Sequence, residues 1–209
     1  GAAHTGTAIS GGDALRTVRL VDRLAREVAD RRASGGTDPD TSPLLLLLID
    51  GAEATMELLD DADPGRGSTA LLRLLRDGPA VGLTCVLTAD RAVPGGRLAA
   101  LARRRLVLPL ADEADYAVAG VPVRAVPGFR PPGRALVGED AVECQLVLPR
   151  DPDGCLADAP RRSRPLCIPE LPVDPVLAGG RPAPPGSSEL CLAIGPDGDE
   201  GHVLVVDLL

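Results

Sequence analysis

Lysine is missing from this chain altogether: all 22 of its basic residues are arginine. A chain without lysine cannot itself supply the phosphate-gripping ammonium of a P-loop, nor form a Schiff base. Asparagine and tryptophan are also absent, and Tyr116 and Phe129 are its only Tyr and Phe. The core must therefore be aliphatic, built from Leu, Val and Ala. Histidine occurs only as His4 and His202, and the five cysteines (Cys85, Cys144, Cys155, Cys167, Cys191) form no Cys-x-x-Cys pair. A zinc cluster is poorly served by that set, and so is a nucleophile–histidine triad, since no Gly-x-Ser-x-Gly elbow occurs. Long apolar runs are lacking too. The longest, Leu44–Ile49, falls far short of the roughly 18–20 residues of a membrane span. No charged-then-apolar leader opens the chain, so nothing reads as a signal peptide.

Acidic residues outnumber basic ones, 30 to 22, for a formal charge of −8. That balance argues against a free-standing nucleic-acid binder while leaving room for a local basic face. The length of 209 residues allows one domain, or one and a fragment. Thr7–Ile9 reads as the end of a strand. From Asp13 to Arg32, apolar residues recur at three- and four-residue spacing (Ala14, Val18, Val21, Ala25, Val28), which predicts a helix ended by Gly35. Its arginines read as a solvated face, with Arg23–Glu27 and Asp22–Arg26 as i,i+4 pairs.

Leu44–Ile49 is a continuous apolar run closed by Asp50, the pattern of a strand buried on both faces of a parallel sheet. A short helix over Ala52–Asp60, an acidic loop over Asp60–Gly67 and a helix capped by Ser68 and stopped by Gly78-Pro79 follow. Gly82–Thr88 and Arg105–Leu110 read as further strands, Arg97–Arg104 and Asp112–Ala119 as short helices, and Arg134–Val137 with Ala141–Leu148 as a hairpin. Alternating strands and amphipathic helices define an α/β domain with a largely parallel sheet, ending near Pro149. Cys85 and Cys144 lie inside apolar runs and read as small buried hydrophobes, suited to a reducing cytosol. Residues 151–186 are punctuated by Pro and Gly without periodicity and read as a linker. Glu189–Ile194 and His202–Leu208 read as two closing strands.

The sharpest chemical feature is the acid at the end of the buried strand. In mononucleotide-binding α/β proteins such an Asp orients Mg²⁺ or its waters, and the next acid polarises the attacking water. Here the next residue is Gly51, which can polarise nothing; the plainer reading of Asp50 is a strand end or a helix cap. Gly65–Thr69 has the look of a phosphate loop, but lacks the lysine and a preceding buried strand, so a loop with a Ser cap is the better reading. Arg103–Arg105 reads as a solvated helix end before a nucleic-acid contact, and Asp112 with Asp115 as cap and dipole partners before a catalytic pair.

Taken in order, Leu44–Leu59, Leu71–Arg76 with Asp77-Gly78-Pro79, Gly82–Arg91, Arg105–Asp115 and Pro131-Pro132-Gly133-Arg134-Ala135-Leu136 resemble the C-terminal half of an FtsK/SpoIIIE-type ATPase module. The likeness is to the multi-module proteins of actinobacteria, including the EccC-type ATPases of type VII secretion. The resemblance covers residues 1–150, and 187–209 is similar to the entry strands of a following module, with 151–186 between them. It implies a P-loop NTPase (RecA-like) core in incomplete form, the P-loop itself being expected before Gly1 and absent here.

Carried over residue by residue, Asp50 matches the Walker B aspartate, while Gly51 stands where active members carry the acidic catalytic residue. Thr88-Ala89-Asp90-Arg91 occupies the sensor strand, with Arg91 kept and Asp90 in place of the Gln that reads the γ-phosphate; an acid beside a triphosphate repels it. Arg134 stands where it could reach a neighbouring subunit's nucleotide, its plain alternative being a charge on a hairpin. The family binds ATP and Mg²⁺, forms rings and moves DNA or secreted protein at the inner face of a membrane. The resemblance therefore implies a degenerate ATPase module of a cytoplasmic translocase, structural or regulatory in a ring with other modules, binding no nucleotide alone. The alternative is a catalytically inert α/β protein-interaction domain without a nucleotide site.

Overall fold

The computed structural model describes residues 4–35, 43–90, 97–138, 140–148, 150 and 165–171, together with the backbone of 191–197 and 202–207. Arg91 of the expected sensor strand lies outside the described residues.

Helix α1 (Ala14–Ala33) begins where Asp13 Oδ1 accepts the Arg16 backbone N–H at 3.1 Å, and it ends on Arg31 and Arg32, which favour the negative end of the dipole. Strand β1 (Leu45–Ile49) follows, then α2 (Ala52–Ala62) and α3 (Gly67–Asp77). A 3-10 turn over Gly78–Val81 leads into β2 (Leu83–Leu87). β1 and β2 pair in parallel, Leu45 opposite Leu83 and Ile49 opposite Leu87. The helical crossover is what a parallel pair requires. The fold is thus mixed α/β, a parallel pair of strands flanked by helices.

The main core lies between that pair and α1, α2 and α3. Val21, Leu24 and Val28 from α1 meet Leu59 of α2, Leu71 and Leu74 of α3, and Leu83 of β2, all nearly inaccessible to solvent. Gly67 lets α3 approach α2, for a Cβ there would stand 2.1 Å from the Leu59 carbonyl oxygen. The next elements are α4 (Arg97–Leu101), β3 (Leu106–Val107), α5 (Glu113–Val118), β4 (Arg134–Val137) and β5 (Val142–Gln145). β3, β4 and β5 form an antiparallel sheet over a second, smaller core of Tyr116, Val121, Leu136 and Ala141. Arg130 lies over the Tyr116 ring and donates to its hydroxyl. The backbone of β6 (Cys191–Asp197) and β7 (His202–Asp207) forms an antiparallel hairpin with a register shift between Ala193 and Gly195.

Several expectations need correction. β1 is buried on one face only. Leu45, Leu47 and Ile49 pack on the core, whereas Leu44, Leu46 and Leu48 are 77, 62 and 66% exposed. A continuous apolar run carries no alternation to reveal which face is covered, and here the helices pack on one side. The strand expected at Arg105–Leu110 joins the β4–β5 hairpin and not the parallel pair. Thr7–Ile9 forms no strand: the Thr7 hydroxyl donates to the Leu166 carbonyl at 3.1 Å and accepts from the Ile168 N–H at 2.8 Å. Arg66, not Ser68, precedes α3, and the Ser68 N–H donates to Asp60 Oδ1 at 3.0 Å. Cys85 and Cys144 are half-buried instead of fully buried.

The arginine face of α1 is not simply solvated. Arg31 is 8% exposed; its Nε donates to Glu27 Oε1 at 2.8 Å and its Nη1 to the carbonyls of Pro43 and Val81 at 3.0 and 3.2 Å. One guanidinium thus ties α1 to the chain entering both parallel strands, and it satisfies the Val81 carbonyl, which packing has removed from water. Asp22 and Arg26 meet through the Asp22 backbone carbonyl, while Arg23 pairs with Glu27 at 3.3 Å as expected.

Candidate functional site at the ends of the parallel strands

In an α/β sheet, ligands bind beyond the carboxyl ends of the strands, where loops from neighbouring strands converge. The parallel pairing places Asp50 after β1 and Thr88-Ala89-Asp90 after β2 at one such edge. Thr88 links the two. Its N–H donates to the Ile49 carbonyl and its own carbonyl accepts from the Ala52 N–H, both at 2.9 Å. Its hydroxyl accepts from the Gly51 N–H at 2.9 Å and donates to Asp50 Oδ1 at 2.5 Å. The Asp50 carboxylate is therefore held across to β2 by a charge-assisted hydrogen bond.

Gly51 is the first residue beyond that acid and the N-cap of α2, at φ 76° and ψ 71°. This left-handed backbone is open to glycine and costly for a residue with a Cβ. The Gly51 carbonyl accepts from both the N–H and the hydroxyl of Thr55 at 3.0 Å, which closes the first turn of α2. The residue type and the local geometry agree: the chain turns sharply here to start a helix, and no acid is presented.

The expected site residues are only partly assembled. Asp50, Gly51 and Thr88 form one hydrogen-bonded unit, and the exposed Asp90 follows on the same loop as Thr88. Arg134 belongs to the antiparallel sheet, where its Nη1 pairs with Glu143 Oε2 at 2.9 Å. Asp112 caps α5 by accepting the Ala114 N–H at 2.8 Å, and Arg105 Nη1 donates to the Ala119 carbonyl at 3.4 Å. Thr88 as the bridge between strands went unnoticed in the sequence. The available signal was a threonine at the end of one apolar strand and an acid at the end of another, but only pairing and register bring them together.

Alongside β1 runs an open trough of about 1380 Å³. Leu44–Asp50 line one side, α1 contributes Thr17, Leu20 and Leu24, and residues 4–11 with Pro165–Cys167 and Pro169 line the other. Among the described residues no cluster of His, Cys, Asp or Glu could hold a metal ion. An ATP–Mg²⁺ complex needs cations on its phosphates and anions or hydroxyls on its metal. Among the described residues at this edge, Asp50 follows β1 with one of its oxygens already held by Thr88, and the exposed Asp90 is a second acid; the chain holds no lysine. These residues do not by themselves fit the group. No described helix is long and apolar enough to cross a membrane.

No protein-family model matches the chain, and no curated protein matches it in sequence. Among solved structures it is similar to EssC (ATPases 2 and 3) from Geobacillus thermodenitrificans, with a TM-score of 0.61 at 17% identity over 95% of this chain. The match takes up 42% of that structure's chain, so this chain spans less than half of its neighbour's length. At that identity the likeness establishes the fold: the chain has the α/β architecture found within a protein of tandem ATPases.

Proposed function

We propose that this chain is a degenerate ATPase module of FtsK/SpoIIIE type, related to those of type VII secretion motors, with a structural or regulatory role among other modules of a ring. One observation carries the reading. An acid at the end of a parallel strand is bonded to a hydroxyl at the end of its neighbour, in a fold shared with EssC ATPases, while the next position is a left-handed glycine. On this reading the first part is what remains of a Walker B strand, and the second lacks the group that would activate water. Asp50 and Thr88 would still serve to fix the strand ends and to face Mg²⁺ and phosphates completed by residues outside this chain. Asp90 opposes that charge, and Gly51 offers no group to take a proton from water. The substrate moved by the full assembly would be DNA or secreted protein, with the module on the cytoplasmic side.

The competing reading is an inert α/β interaction domain without a nucleotide site, favoured by the Thr88 hydroxyl already occupying Asp50. Photo-crosslinking of the full-length protein with an azido-ATP analogue separates the two. Labelled peptides from 44–59 or 83–90, competed by ATP, support the module reading; labelling confined to other modules supports the inert domain. The purified chain is expected to release no phosphate from ATP above background. Release that is lost in Asp50→Ala overturns the assignment as degenerate.

A further inference from the structure

Residues 165–171 contain no helix or strand, yet they are bound to the domain at both backbone and side-chain level. Ile168 is 1% exposed. Arg16, in the first turn of α1, donates from Nε to the Ile168 carbonyl and from Nη1 to Glu170 Oε1, both at 2.8 Å. Arg19, one turn on, donates to the Pro169 carbonyl at 2.9 Å. Thr7 exchanges hydrogen bonds with Leu166 and Ile168, and Gly6 lies so close that a Cβ on it would stand 1.9 Å from the Leu166 carbonyl oxygen. The strap fastens the segment before α1 to chain some 160 residues later, and Leu166 and Cys167 form part of the wall of the trough beside β1.

We propose that residues 165–171 are a releasable clasp, which opens as a unit without unfolding the core and so opens one wall of the trough that runs to Asp50. The fastening is of the kind that opens locally: a short irregular segment held by a few hydrogen bonds, the buried Ile168, the half-buried Leu166 at the edge of the core and an ion pair whose Glu170 is 78% exposed. The elements beneath it are held differently, by aliphatic packing across α1, α3 and β2, which the clasp touches only at its margin through the half-buried Leu166. Because it clasps residues 6–7 against 166–168, tension on the chain beyond 171 would be felt at the start of α1 and at the trough. The inference rests on this geometry and is independent of the nucleotide reading.

Gly6→Ala tests it, since Gly6 lies outside the left-handed region and alanine fits its backbone while its methyl group displaces Leu166. Hydrogen exchange of the full chain, followed by mass spectrometry, is compared with Arg16→Met, which removes the ties from the other side. Both variants are expected to speed exchange of the Ile168 amide, whose N–H the Thr7 hydroxyl holds, by about tenfold or more, the effect of losing one or two hydrogen bonds, with β1, α3 and β2 unchanged. An unchanged strap in both variants overturns the proposal. So does acceleration of strap and core together, which would make 165–171 an inseparable part of the cooperative fold.

Discussion

Gly51 and Thr88 carry the consequences at the residue scale. Replacing Gly51 by Glu puts an acid directly after Asp50, where the proposed reading would have an active module carry one, but at φ 76°, a conformation costing a residue with a Cβ about 1–2 kcal/mol. We predict that Gly51→Glu lowers stability by about that amount in urea melts and releases no phosphate from ATP. Thr88→Val removes both hydroxyl bonds, to Gly51 and Asp50; an expected loss of about 1–2 kcal/mol follows from one neutral and one charge-assisted bond on an exposed loop. A melt indistinguishable from the parent chain would show that the bridge contributes nothing. Burial on β2 pushes the Cys85 thiol up to about 11. At pH 8 only about one thiol in a thousand is then the reactive thiolate. Peptide mapping after brief alkylation is expected to find the exposed Cys167 modified well ahead of Cys85.

Between elements, the decisive tie is Arg31, which Glu27 holds within α1 while it bonds the Pro43 and Val81 carbonyls. The Arg31 hydrogen bond holds the Glu27 carboxyl below the ordinary value of 4.5, against a smaller opposing effect of burial. A carboxylate depressed by folding stabilises the native state above its unfolded pKa, and that stability is lost as pH falls through the folded value. The domain is therefore expected to lose stability as pH drops from about 4.5 downward, and Glu27→Gln should flatten that part of the profile. Arg31→Met also leaves the buried Val81 carbonyl, and the more exposed Pro43 carbonyl, without their donor. We expect a loss of about 2–4 kcal/mol, in the range for stranding buried polar groups. Gly67→Ala drives a methyl group into the Leu59 carbonyl and should part α2 from α3, costing about 1–3 kcal/mol through overpacking.

For the whole molecule the notable surface is the uncovered face of the parallel pair. Leu44, Leu46, Leu48 and the 50% exposed Val86 lie there, on a strand that pairs, among the described residues, with β2 alone. A two-stranded sheet is marginal by itself, and an apolar face beside an open edge recruits other chains. The chain is expected to show concentration-dependent association by sedimentation velocity, reduced by Leu46→Lys, which places a charge on that face without touching the core. A sharp monomer at every concentration for the parent chain would show that the face needs no cover.

Much of the local structure was legible because its causes are local. The spacing of Val21, Ala25 and Val28, the cap Asp112 and the stop at Gly78 determine helices through hydrogen bonds and contacts within one or two turns. The apolar run closed by Asp50 likewise determined β1 and put the acid at its end. Tertiary structure alone decided the rest. Which strand β3 joined, which face of five consecutive aliphatic residues met the helices, and whether Arg31 was solvated or buried all depend on partners distant in sequence. The same holds for Thr88 reaching Asp50 and for Arg16 gripping Ile168 and Glu170. Such contacts arise when packing brings complementary donors and acceptors together out of water, and no periodicity along the chain encodes which pairs will meet.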